Sequence, residues 1–249
     1  MPYERFRPPA GVTAPGLILF AGDPHGRFAH ILEAAREVDY EAVVVLGDLD
    51  LARPLADELG AISDRLWWIH GNYDSDTPEA WTHLTDGPMA GRGLHGRAVE
   101  LPSGLRLAGL GGVFRARVWD PGSAGRPTYW SQAEHAAATP RQDRWRGVGP
   151  PRRHLSTIYP DDVEQLLMAR TDVLVTHEAP SYHRHGVAAL DGLARAMGAR
   201  LVVHGHHHED AIAPSTGWTD RPFLSVGIGL RGLAAIDAAG RVAIVRPGE

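Results

Sequence analysis

Leu17-Ile18-Leu19-Phe20-Ala21-Gly22-Asp23-Pro24-His25-Gly26 is the stretch that decides the architecture. Its first five residues are uniformly apolar: far too few to cross a membrane, and of the right length for a strand buried on both faces. The following segment, 27–38, carries Phe28, Ile31, Leu32 and Ala35 at helical spacing. A second apolar run at 42–46, a short helix at 51–59 and a third run at 66–69 repeat the pattern. This strand–helix–strand alternation predicts an α/β fold, a parallel or mixed sheet covered by helices. Residues 93–110 read as a hairpin, with strands 97–100 and 105–110 around a Pro102-Ser103-Gly104 turn. Beyond 160 the patterning predicts a helix at 161–169, a strand at 173–176 and a helix at 187–197 stopped by Gly198. Strands are expected at 201–204, 223–226, 233–237 and 242–245.

Five of these strands end in a short polar block. They are Asp23-Pro24-His25-Gly26, Gly47-Asp48, Gly71-Asn72-Tyr73-Asp74, Thr176-His177-Glu178 and Gly205-His206-His207-His208. The carboxyl ends of neighbouring strands in an open α/β sheet converge on one crevice, so the five blocks are expected to meet. Each block alone is ordinary turn chemistry. Together they gather imidazole and oxygen donors, a set that suits manganese, iron or zinc. Four histidines and three oxygen donors supply two ions better than one, and a shared carboxylate lets two cations sit close together. His207 is expected to face away from its neighbours if the 205–208 segment is extended.

Composition narrows the chemistry further. The 249 residues contain no cysteine, which excludes disulfides, a thiolate nucleophile and iron–sulfur clusters. All 25 basic residues are arginine, so a lysine-bearing phosphate loop and a Schiff base are absent too. The 14 histidines leave ample ligands for a metal. The N-terminal 15 residues lack the apolar core of a secretory signal, no stretch is long enough to span a membrane, and a cytoplasmic protein is expected.

At the five blocks the sequence closely resembles the calcineurin-like metallophosphoesterase superfamily, whose pattern runs Asp-x-His, Gly-Asp, Gly-Asn-His-Asp/Glu, His, Gly-His-x-His. The resemblance spans 23–208 and implies a four-layer αββα sandwich: two mixed sheets face to face with helices outside. It implies one metal held by Asp23, His25, Asp48 and His208, and a second by Asp48, Asn72, His177 and His206, with Asp48 bridging. The implied reaction is hydrolysis of a phosphoester, a hydroxide between two divalent ions attacking phosphorus in line while Asn72 helps neutralise the developing charge. Manganese is the first choice for both ions, with iron or zinc as alternatives.

The third block departs from the pattern, with Tyr73 standing where the family's histidine usually precedes the acid that orients it, here Asp74. A phenol ionises only near pH ~10 and is a poor proton donor at neutrality. The substitution tilts the expectation toward phosphodiesters or nucleotides, and His183 or His185 is a candidate replacement donor. Glu178 is a candidate partner for a ligand histidine. No such case exists for His70, His95 or His154.

Between 113 and 160 periodicity gives way to Pro, Gly and Trp, and eight arginines face three acids. The rest of the chain is acidic, since the total is −5. One domain over 1–249 is expected, carrying this basic segment either as a lid or as a loop packed by its own tryptophans. As a lid it would offer Arg115, Arg117 and Arg146 to a phosphate, and Trp119 or Trp145 to a base. The alternatives are a phosphomonoesterase or phosphoprotein phosphatase, a nuclease, and a non-catalytic scaffold on the same fold. Stable duplex binding is not expected from a net-acidic chain.

Overall fold

Every residue of β1 (Ile18–Ala21), β2 (Ala42–Val45), β6 (Val173–Thr176) and β7 (Leu201–His204) is buried, in keeping with runs that are apolar on both pleat faces. The computed structural model describes residues 16–216 and 221–249. The segment 1–15, read above for a secretory signal, lies outside the described residues. Among the described residues no helix is long and apolar enough to cross a membrane.

The strands form two mixed sheets. The first adds β3 (Leu66–Trp68), β10 (Leu233–Ile236) and β11 (Val242–Arg246), in the order β11-β10-β1-β2-β3. The second is built from β4 (Arg97–Glu100), β5 (Arg106–Leu110), β8 (Ala211–Ala213) and β9 (Leu224–Gly227), in the order β4-β5-β6-β7-β9-β8. Alternation along each strand divides its side chains between two cores. Ile18, Phe20, Val44 and Leu46 meet Leu107, Val175, Val203 and Val226 between the sheets. Leu19, Val43 and Val45 point outward to α1 (Ala29–Glu37) and α2 (Leu55–Leu59). On the far side, Leu174 and Val202 pack against α5 (Pro160–Leu167) and α6 (Ala188–Met197). Helix, sheet, sheet, helix is the four-layer sandwich. Each fully buried Ile, Leu or Phe adds roughly 1.5–3 kcal/mol to its stability.

Periodicity does not announce three of the elements. The helix α3 (Pro78–Thr85) starts where Thr77 accepts from the Ala80 N–H, with proline in the first turn. A second helix, α4 (Gln132–Ala138), lies inside the 113–160 segment, capped by Ser131 on the Glu134 N–H while Glu134 accepts from the Trp130 N–H. The third is β8, a three-residue strand at the edge of its sheet. The helix predicted over 51–59 shortens at its start because Pro54 sets the N-cap.

Register brings the polar blocks to one level. Ala21 pairs with Val45 and Val45 with Trp68 in the first sheet, and Thr176 pairs with His204 in the second.

Candidate metal centre

The backbone at the strand ends is unusual before any side chain is considered. Asp23, His25, Asp48, His206 and His208 all adopt positive φ, between 30° and 68°. Each such residue costs on the order of 1–3 kcal/mol and persists only where surrounding contacts hold it. Those contacts are present. The His25 N–H donates to the Asp48 carbonyl at 3.0 Å, the Gly26 N–H to that of Leu49 at 2.8 Å, and the His206 N–H to Asp23 Oδ2 at 2.7 Å. Asp and His tolerate this region better than most residues, which suits them to strained loops as well as to metals. The 205–208 segment is therefore not extended, contrary to expectation. His207 nonetheless leaves the donor groups, because the left-handed residues on either side turn it onto the His183 ring, 3.9 Å away.

Two donor groups share one residue. His25, Asp48 and His208 each offer a ligand atom within 4.8 Å of the others, and so do Asp48, His177 and His206. Asp48 Oδ2 stands 3.9 Å from His25 Nε2 and 3.5 Å from His177 Nε2. Asp23 flanks the first group, with Oδ2 3.7 Å from His208 Nε2. Asn72 flanks the second, with Oδ1 3.2 Å from His177 Nε2. The structure thus brings all seven sequence-predicted donors together.

Close approach explains the glycines in two blocks. A Cβ at Gly71 would strike Asp48 Oδ1, and one at Gly205 would lie 2.6 Å from Asp23 Oδ1. Asp74 has tyrosine rather than histidine before it, and its carboxylate faces backbone donors. Fully buried, its carboxylate accepts from the Leu49, Asp50 and Gly71 N–H groups at 2.7–3.1 Å, binding the Asp48 loop to the Asn72 loop.

Electrostatics fit a cation here. Burial pushes the Asp23 carboxyl up to about 7, with His177 opposing the rise and Asp48 adding to it. Its Oδ1 is buried with no hydrogen-bond partner, a cost of about 1–3 kcal/mol that a positive ion would remove. Burial alone would lower the His177 pKa, but Asp48 and Asp23 reverse this and raise it to about 10. His177 Nδ1 faces the Leu46 carbonyl at 2.8 Å, so its proton goes there and Nε2 is the ligand-side atom. Burial, followed by His177, lowers His206 to about 4 and leaves it a neutral ligand. A divalent ion would take the place of the proton on His177 Nε2 and join it to the neutral His206 and the buried carboxylates, the donor chemistry of a metal site.

The remaining candidates fall outside this cluster. Tyr73 is 48% exposed, its ring edge-on to His25 at 5.1 Å, and its N–H donates to Asp48 Oδ1 at 2.8 Å. His183 Nδ1 accepts from the His185 N–H at 3.3 Å, so Nε2 bears the proton, 3.6 Å from Glu209. His185 itself is exposed. Glu178 turns to the Phe114 backbone rather than to a ligand histidine. His70 packs against Trp81 and His95, His95 pairs with Asp162 at 3.3 Å, and His154 packs on His135.

In the basic segment, Arg146 is held by Asp86 at 2.7 Å and Thr82 at 2.8 Å, and its guanidinium covers Trp145. Trp119 packs edge-on to Phe114 against the outer core. Arg115 donates to Ser156 Oγ at 3.4 Å, and Arg117 is exposed. Sequence reading misses the anchor of the segment. Ser156 Oγ lies 2.6 Å from Ser75 Oγ, and Arg152 donates to the Ser75 carbonyl at 2.6 Å, two residues beyond Tyr73. Nothing in local pattern marks those serines, because their contact spans 81 residues.

Comparison with known proteins agrees with this geometry. The family profile of calcineurin-like phosphoesterases matches residues 16–210. An uncharacterized protein of Haemophilus influenzae is 41% identical over 226 residues, covering 90% of this chain and 95% of its own. The crystal structure of TT1561 from Thermus thermophilus superposes with a TM-score of 0.57 at 15% identity, over 93% of this chain and 98% of that one. A second solved chain gives 0.55 at 12% identity, over 93% and 99%. The structural likenesses speak for the fold alone. The match across all five strand-end blocks, together with the paired donor groups, makes this chain a member of the calcineurin-like phosphoesterase family, a metal-dependent phosphoesterase.

Proposed function

We propose that the centre holds two divalent ions, manganese by preference and iron or zinc as substitutes, and that it hydrolyses phosphodiesters or nucleotides. The observation that carries this reading is the position of Asp48 in both donor groups, since a shared carboxylate is what a pair of like charges requires. Ions bound at such donors supply Lewis acidity and a water acidic enough to serve as nucleophile near neutral pH. The residues of the chain do the rest. Asn72, with Oδ1 toward His177, keeps its amide N–H groups for a phosphoryl oxygen as charge builds there. Asp74 keeps Asn72 and Asp48 in register through three backbone hydrogen bonds.

Tyr73 at the mouth supports the preference for diesters, because a phenol is a weak acid for a departing alkoxide. His183, whose Nε2 has no hydrogen-bond partner and lies 3.6 Å from Glu209, is the better substitute donor of the two histidines, and His185 is the alternative. Arg115 and Arg117 lie on the segment tied to the Asn72 loop and are the favoured phosphate contacts; Arg146 would first have to leave Asp86. The same reading treats 1–249 as one domain with 113–160 inserted beside the site. The cytoplasm is the location that goes with this reading; among the described residues no helix is long and apolar enough to cross a membrane.

Turnover with Mn²⁺ tests the reading. Wild type is expected to hydrolyse bis-p-nitrophenyl phosphate faster than p-nitrophenyl phosphate. Tyr73→His is expected to raise hydrolysis of phenyl phosphate, a monoester with a poor leaving group, by about tenfold or more. A wild type that prefers monoesters, or a variant with no gain, would overturn the diester assignment.

A further inference from the structure

Of the eight arginines of the basic segment, Arg126 and Arg141 are exposed and the other six fall into two sets. Arg144 and Arg146 are occupied, the first by the Thr139 and Ala137 carbonyls and the second by Asp86. Arg115, Arg117, Arg152 and Arg153 have no carboxylate within ion-pair distance among the described residues. Asp76 and Glu178 are the acids that act on Arg115, and both remain beyond that distance. Arg115 Nε is buried without any acceptor, an arrangement that costs free energy unless an oxygen-bearing partner arrives.

Two of this set, Arg115 and Arg152, are tied to the loop that follows Asn72, and Arg117 and Arg153 are near enough to act on Arg115 or on its neighbour His154. The Val113 N–H donates to the Ser156 carbonyl and the Ile158 N–H to that of Val113, both at 3.0 Å, so the chain at 113 lies against 156–158, two residues before Arg115 and three after Arg153. Ser156 Oγ links Arg115, at 3.4 Å, to the Asn72 carbonyl, at 3.5 Å. The guanidinium therefore stands two hydrogen-bond steps from a candidate ligand residue. His154 lies in the resulting positive field. Burial first, then His135, then Arg115, Arg153 and Arg117 push its pKa down to about 4.

We infer that Arg115, Arg117, Arg152 and Arg153 form a second anion subsite, so that the substrate carries a further phosphate besides the one hydrolysed. This rests on the phosphoester hydrolase reading and names the substrate class of the same site. A guanidinium fork matches a phosphate in bidentate fashion, and four guanidiniums without a carboxylate partner, two of them tied to the loop after Asn72, exceed what the scissile group alone employs. The second phosphate sits on the side of the substrate that faces the 113–160 segment, with Arg115 and Arg152 fixed by Ser156 and Ser75 and the exposed Arg117 and Arg153 free to close on it.

Two thymidine probes that share a leaving group test the subsite: the 5′-(p-nitrophenyl phosphate) and the same compound bearing a 3′-phosphate. Wild type with Mn²⁺ is expected to show at least about tenfold higher kcat/KM on the second, mostly through KM. That preference should shrink as ionic strength rises from about 0.05 to about 0.3 M. Arg115→Gln and, separately, the exposed Arg153→Gln are each expected to reduce the preference severalfold, and the double variant to abolish it. Calorimetric binding of thymidine 3′,5′-bisphosphate against thymidine 5′-monophosphate gives a readout that does not depend on turnover. Tighter bisphosphate binding that the variants lose, with no hydrolysis of either probe, would uphold the subsite and overturn the hydrolase reading. Equal binding of the two nucleotides, or a preference that survives the double variant, would overturn the subsite whatever the turnover.

Discussion

Asp48→Asn is expected to lower kcat/KM for bis-p-nitrophenyl phosphate by about a thousandfold or more, a loss of roughly 4 kcal/mol in transition-state stabilisation. The asparagine keeps the shape of the side chain and an oxygen that can still accept from the Tyr73 N–H, which Asp48 Oδ1 does at 2.8 Å. What it removes is the negative charge common to the two donor groups. Without that charge two cations at close range repel each other uncompensated, so one or both should leave. Stability of the chelated protein should fall as well, because Asp48 is the main buried partner that raises His177, and removing one member of such a pair leaves the other uncompensated. Rates for wild type and variant measured under saturating Mn²⁺ decide the matter. Equal rates would remove Asp48 from its bridging place.

Asp74→Ala is expected to act on folding as much as on catalysis. Three backbone N–H groups, those of Leu49, Asp50 and Gly71, lose their acceptor inside the protein. At about 1–3 kcal/mol for each buried donor left unpaired, and allowing for some relaxation, the loss should reach about 3–5 kcal/mol. For a chain of this size that lowers Tm by about 10 °C or more. Asp74→Asn, which keeps one carbonyl acceptor, should lose about half as much. Thermal unfolding of both variants in chelator separates this role from metal binding. A Tm within about 2 °C of wild type for the alanine variant would show that the loops are held by something else.

The parts of the fold legible in sequence are those where one physical demand dominates. Residues 17–21 and 42–46 are buried on both faces of a sheet, and that demand selects apolar side chains without exception. The donor blocks are legible because strand ends in an α/β sheet converge, so a local motif carries three-dimensional information. Helix α4 escapes a reading by periodicity because its amphipathic signal is weak over seven residues, although Ser131 and Glu134 form a readable N-terminal cap. Helix α3 is announced in the same way by Thr77 and Pro78.

Other features have no local trace at all. The left-handed conformations of Asp23, His25, Asp48, His206 and His208 arise from contacts between loops far apart in sequence. The commitment of Arg146 to Asp86 spans 60 residues, and composition cannot tell it apart from Arg115, which has no carboxylate partner and donates to Ser156. Family resemblance makes Asp74 the orienter of a histidine, and with tyrosine in that place its carboxylate serves the backbone instead.

Anomalous diffraction from crystals soaked in Mn²⁺ tests the central claim most directly. Two manganese peaks about 3.5–4 Å apart, with Asp48 between them, are the predicted result. A single peak, or peaks away from Asp48, His177 and His25, would contradict it.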